Sequence, residues 1–166
     1  NGGPGAPAFL YAAKKHQEYC EQPITGWMGH KAPFDFDKKY VASKRMTKFL
    51  SGTPPVLSMS MLDAALVSFE KIDVQQLREK SIQLTELFLS LLKQSGCLEQ
   101  LQLCSPKSAE TRGSQLAFSH QKGFGICQAL AAKQVIADFR SPDLLRFGFS
   151  PLHLRFEDIW HSTQAI

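Results

Sequence analysis

No apolar run in this sequence approaches the ~20 residues that a membrane-spanning helix needs, so the chain reads as water-soluble. The first residues also lack the basic region, apolar stretch and cleavage site of a secretory signal, and there is no initiator Met. Cysteine is sparse. Cys20, Cys97, Cys104 and Cys127 make no C-x-x-C pair, and the histidines offer no short ligand spacing, which excludes the usual zinc patterns. The four read as small, mostly buried, reduced residues of an intracellular protein. A Walker loop, a metal-binding helix and a Ser-His-Asp order are all missing, as are repeats and low-complexity tracts. The net charge of +4 is mild: it suits an anionic ligand and does not by itself argue for nucleic acid.

What is present is a globular composition, 43% hydrophobic and 20% charged, in 166 residues, enough for one domain or parts of two. NGGPG opens the chain as a glycine-rich turn with no element before it. APAFLYAA reads as a short buried strand, KKHQEYC as a polar turn or helical piece, and Gly26–Ser51 as an irregular segment of the kind that often carries function. Thr53-Pro54-Pro55 starts a helix, capped by Thr53, whose body VLSMSMLDAALVSFEKI is apolar on most faces and so reads as buried. A second helix starts at Asp73, with Gln76 as a capping-box-like partner. Val74, Leu77, Leu84, Phe88 and Leu91 lie at helical spacing with Ser81 in the remaining slot, and Ser95-Gly96 ends the helix. Beyond it, LQLCS, GSQLAFSH and VIADFR alternate as strands, GFGICQALAAK is a short helix, DLLRFGFSPLHLR is extended, and FEDIWHSTQAI begins a helix that the chain end cuts. The expected organisation is helical and irregular over 1–72 and a small α+β unit over 73–166.

Four constellations could carry chemistry. In FLSGTPP, Ser51, Gly52 and Thr53 precede a helix N-terminus, where unpaired N–H groups bind phosphate or carboxylate; the commoner role of such a Thr is to cap its own helix. In GWMGH, Trp27 reads equally as an aromatic wall on a cleft or as a core residue between turn glycines. His30 has no identifiable acid/base partner. In LLRFGFSP an extended backbone puts Leu145, Phe147 and Phe149 on one face and Arg146 on the other, where its guanidinium suits either an ordinary ion pair or a bidentate grip on a carboxylate. Lys38, Lys39, Lys44, Arg45 and Lys48 form a basic cluster, read as a solvated loop, with Phe34, Phe36 and Tyr40 nearby for any stacking.

Taken in order, NGGPG, GWMGH, FLSGTPP, RGSQLAFSH and LLRFGFSPL resemble the C-terminal portion of the kynureninases, with GWMGH and FLSGTPP at their mutual distance the specific parts. The resemblance implies the α/β aspartate-aminotransferase fold (fold type I), with this chain supplying the end of the large domain, 1–72, and the small C-terminal α+β domain, 73–166. It also implies a pyridoxal 5'-phosphate-dependent, cytoplasmic homodimer of tryptophan catabolism that hydrolyses L-kynurenine, or its 3-hydroxy form, to an anthranilate and L-alanine. No catalytic residue falls in the chain on this alignment, because the Schiff-base lysine lies just upstream of Asn1, and the chain alone is expected to be inactive. Trp27 and Thr53 match residues that reach the cofactor phosphate and substrate across the dimer interface. Gly52 and Met28 match substrate-side positions, and Met28 stands where Phe also occurs, against the substrate ring. Arg146 matches the arginine that grips the substrate α-carboxylate. The alternatives are another fold type I enzyme, an aminotransferase or cysteine-desulfurase-like lyase, and a non-catalytic interaction module using the basic loop.

Overall fold

The structure is a computed structural model that describes residues 5–166. The opening Asn-Gly-Gly-Pro turn lies outside the described residues; Gly5, which follows it, is in a turn at φ +80. The chain divides into two compact units, one up to Lys71 and one from Ile72.

The first unit has little regular structure. Helix α1 (Lys14–Gln17) is a single turn, and two 3-10 turns, Trp27–Gly29 and Met46–Phe49, flank an irregular segment closed by a bridge between His30 and Ala42. Lys48 ties this segment to α1: its ammonium group donates to the carbonyls of Gln17 (2.7 Å) and Cys20 (3.0 Å). Lys48 is therefore buried, unlike Lys38, Lys39, Lys44 and Arg45, and leaves the expected solvated basic cluster. APAFLYAA is not a strand; Phe9 and Tyr11 are exposed, and among the described residues no neighbouring strand offers its backbone a ladder to join.

Helix α2 (Val56–Leu66) starts later than expected. Its N-cap is Pro55 rather than Thr53, and no side chain caps it. The burial expected of it is also absent: none of its residues is buried, and Leu57 is 83% exposed. Apolar residues on most faces leave no polar face to turn to solvent, so within this chain α2 presents a bare hydrophobic surface.

The second unit is a helix-on-sheet sandwich. Helix α3 (Val74–Gln94) begins at Asp73, whose carboxylate accepts from the Gln75 amide at 2.7 Å, and ends at Gly96, which takes the left-handed φ of 76. Gln76 takes no part in the cap. The strands are β1 (Gln102–Leu103) and β2 (Gln115–Ser119), then helix α4 (Gly123–Ala132), then β3 (Asp138–Arg140) and β4 (Leu144–Gly148). Helix α5 (Phe156–Gln164) ends two residues before the last. The sheet runs β1-β2-β4-β3, all antiparallel.

Period-2 alternation decides which side of the sheet is covered. Leu116 and Phe118 of β2 and Leu145 and Phe147 of β4 face the core with Phe149 just beyond β4, and they meet Leu84, Phe88 and Leu92 of α3, Cys127 and Leu130 of α4, and Ile159 of α5. Phe88 is central, with its ring 5.1 Å from Phe147 and 5.0 Å from Phe149. Ser81 is buried as expected and shares a 2.6 Å hydrogen bond with Ser114. Glycine lets α4 sit close: a Cβ at Gly123 would be 3.0 Å from Leu145 and 3.1 Å from the Phe139 ring. Alternate residues, Ala117 of β2, Arg146 of β4 and Asp138 of β3, share the opposite face of the sheet.

Candidate functional site

In the first unit the structure brings the two specific motifs together through glycine. A Cβ at Gly26 would lie 1.9 Å from the Ser51 carbonyl oxygen, and one at Gly29 would lie 2.8 Å from the carbonyl oxygens of Lys48 and Leu50. Only a bare backbone permits so close an approach. Ser51 reinforces it by donating from its hydroxyl to the Ile24 carbonyl (3.1 Å). GWMG and LSG thus form one packed corner that carries Trp27 and Met28 on one side and leads into Gly52 and Thr53 on the other.

Trp27 is 48% exposed and so is not a core residue. Phe34 meets it edge-on at 5.8 Å and 72°, a favourable aromatic geometry that the sequence did not flag. Beside it lies a cavity of about 400 Å³ lined by Trp27, His30, Pro33, Phe36 and Tyr40 among others. His30 is buried and structural. Its Nδ1 lies 2.9 Å from the Ala32 carbonyl oxygen and 3.1 Å from the Ala32 amide, and its Nε2 lies 3.3 Å from the Lys39 carbonyl oxygen, so both ring nitrogens are engaged by backbone. Met28 is half-buried. Gly52 and Thr53 are exposed, a Cβ at Gly52 would meet nothing within 4 Å, and the Thr53 hydroxyl has no hydrogen-bond partner among the described residues. Pro54 and Pro55 carry no N–H, so the donors at this open turn are the Thr53 hydroxyl and the free amides of the uncapped first turn of α2.

Arg146 lies in the second unit. Its neighbours in the strand, Leu145 and Phe147, are buried on the other face as the alternation predicts. On its own face Arg146 stands directly across the β3–β4 ladder from Asp138. Its Nε donates to Asp138 Oδ2 at 2.8 Å, and its Nη2 donates to the same oxygen. Arg140 Nε reaches that oxygen from the other side at 3.2 Å. The Arg146 hydrogen bond, with the Arg140 charge adding to it, holds the Asp138 carboxyl below the usual carboxylate range. Asp138 carried no signal in the sequence reading. The available clue was its position on a strand eight residues before Arg146, since a short hairpin pairs such positions.

Of the cysteines, only Cys127 is buried, and burial, with the Asp138 charge adding to it, pushes its thiol up; Cys104 is exposed, against expectation. All four are free thiols. Among the described residues no cluster of three or more His, Cys, Asp or Glu is placed to hold a metal ion, and no helix is long and apolar enough to cross a membrane.

Residues 77–166, the second unit almost entire, match the kynureninase C-terminal domain family. The chain belongs to the kynureninase family. Over all 166 residues it is 42% identical to the kynureninases of Burkholderia mallei (strain SAVP1) and Deinococcus radiodurans. It spans about 40% of the length of each of these curated relatives. Among solved structures, the cysteine desulfurase CsdA of Escherichia coli superposes with a TM-score of 0.70 at 20% identity, covering 93% of this chain and 40% of that one. A C-DES mutant with glycine covalently linked to its PLP cofactor gives 0.72 at 16% identity, again over 93% of this chain and 40% of that one. At such identities the likeness concerns the fold, which is α+β within the fold type I architecture expected from the sequence.

Proposed function

We propose that this chain is the C-terminal part of a PLP-dependent hydrolase, a kynureninase that converts L-kynurenine, or 3-hydroxykynurenine, to anthranilate, or 3-hydroxyanthranilate, and L-alanine. That places it in cytoplasmic tryptophan catabolism, on the kynurenine route towards NAD biosynthesis. Residues 1–72 complete the large cofactor-binding domain, and 73–166 form the small domain.

The observation that carries the reading is Arg146. Its Nε and one Nη2 hydrogen are taken by Asp138, while Nη1 has no partner among the described residues. The Nη1–Nη2 edge is therefore free to grip a carboxylate with two parallel hydrogen bonds. Kynurenine offers an α-carboxylate, and Arg146 would hold it and fix the orientation of the bond to be broken.

The turn ahead of α2 fits the cofactor phosphate. Thr53 has an unpartnered hydroxyl, Gly52 is open, and the helix N-terminus lacks a side-chain cap. Pyridoxal phosphate, when bound, supplies the electron sink for cleaving the bond between the β- and γ-carbons. Trp27 would border the phosphate and shield it from water, Thr53 would donate to the phosphate region, and Met28 with Gly52 would line the space for the aryl ring. We assign Trp27 and Thr53 to the neighbouring subunit's site in a homodimer, a reading supported by the bare apolar surface of α2.

The test is Arg146→Ala in the full-length enzyme. Loss of a charge-assisted grip is expected to raise the KM for kynurenine by roughly 10- to 100-fold, and an unchanged KM counts against the assignment. The desulfurase-like alternative is not favoured, because the match to kynureninases is 42% identical and that to the desulfurases 14–20%. The basic-loop alternative is weakened by the burial of Lys48.

A further inference from the structure

We propose that Asp138 is a positioning residue for substrate binding: it clamps the inner edge of the Arg146 guanidinium so that the outer edge is presented, preformed, to the substrate carboxylate. The inference rests on the reading of Arg146 as the carboxylate anchor and adds to it the residue that sets the anchor's geometry.

A guanidinium has two edges that hold a carboxylate with paired hydrogen bonds, one formed by Nε and Nη2 and the other by Nη1 and Nη2. In this structure Asp138 occupies the first. Both Nε and Nη2 of Arg146 converge on its Oδ2, which anchors this edge of the group and leaves the Nη1–Nη2 edge turned away from Asp138. A long, rotamer-rich side chain on an open sheet face would otherwise have to be ordered by the ligand, at the expense of affinity. The backbone supports the clamp, since Asp138 and Arg146 are direct cross-strand partners in the β3–β4 hairpin. On the β2 side Arg146 pairs with Ala117, whose methyl group leaves room beside it.

Charge decides whether such a clamp helps or hinders. An isolated aspartate beside the anchor would repel an incoming carboxylate. Here Arg140 reaches the same Oδ2 at 3.2 Å, so two guanidinium groups share one carboxylate and the cluster retains a net positive charge. Asp138 is thus neutralised on both sides while its geometry is kept. The two effects of deleting it have opposite signs. Loss of a repelling charge would lower KM, and loss of positioning raises it.

The experiment uses the full-length enzyme with Asp138→Ala, Asp138→Asn, Arg146→Ala and the Asp138→Ala/Arg146→Ala pair. KM and kcat are measured for kynurenine, together with inhibition by a kynurenine analogue lacking the α-carboxylate. Asp138→Ala is expected to raise the kynurenine KM roughly tenfold with kcat nearly kept. Asp138→Asn, which keeps an oxygen to accept from Nε, falls between it and the wild type. The analogue binds all forms alike, a pattern that general destabilisation would not produce. In the Arg146→Ala background, Asp138→Ala has no further effect on KM. An unchanged or lowered KM in Asp138→Ala, with Arg146→Ala impaired, overturns the positioning role and leaves the anchor standing. An unimpaired Arg146→Ala overturns the anchor itself. Should Asp138→Ala fail to fold, Asp138→Leu, which removes the accepting oxygen and keeps the volume, carries the same decision, and an unchanged KM there overturns the proposal.

Discussion

A methyl group at Gly26 would sit 1.9 Å from the Ser51 carbonyl oxygen, far inside van der Waals contact, and what it meets is backbone that cannot swing aside. The corner joining Trp27 to Thr53 therefore depends on an atom that is missing. Gly26→Ala in the full-length enzyme should push the two motifs apart, and a misplacement of about 1 Å at a site can lower turnover on the order of 100-fold. The check is kcat/KM for kynurenine beside a thermal melt, and near-wild-type kcat/KM would refute the coupling of the two motifs. Residue-scale reading of the sequence went furthest where chemistry is local: the alternation around Arg146 placed it opposite Leu145 and Phe147. It failed for Thr53, whose capping role required its helix to start two residues earlier, and for Asp138, whose partner lies across a hairpin.

Among the elements, α3 shows how a buried charge is accommodated. Arg112, with its side chain 2% exposed, pairs with Glu86 of α3 and donates to the Thr85 hydroxyl (3.3 Å) and the carbonyls of Pro106 (3.3 Å) and Lys107 (2.6 Å). These bonds stitch the β1–β2 connection to the helix. Glu86→Ala should leave the buried guanidinium without its counter-charge and, because the Glu86 carboxylate is half exposed, destabilise the second unit by about 1–2 kcal/mol, measured by denaturant unfolding. A loss no greater than that of an exposed ion pair, about 0.5 kcal/mol, would show that the carbonyl oxygens alone suffice. Helix α2 is the opposite case. Its sequence announces burial and the chain leaves it bare, because hydrophobicity states that a surface must be covered without naming what covers it.

At the scale of the whole molecule, the chain divides into two compact units between Lys71 and Ile72, and it spans about 40% of the length of its curated relatives. On the proposed reading it shapes a site and selects a substrate. Incubated with pyridoxal phosphate and kynurenine, the 166-residue chain alone should release no anthranilate, followed by its fluorescence; robust release would sink that account. What the sequence by itself determined was local and periodic: α3 with its Asp73 cap and Gly96 stop, the alternating strands, the side on which Arg146 stands, and the family, through motifs whose order survives without coordinates. Only the tertiary structure decided which distant residues meet. The contact of Gly26 with Ser51, the burial of Lys48 and the clamp of Asp138 on Arg146 are set by chain crossings and hairpin register. Periodicity says which way a side chain points, but not what is waiting there.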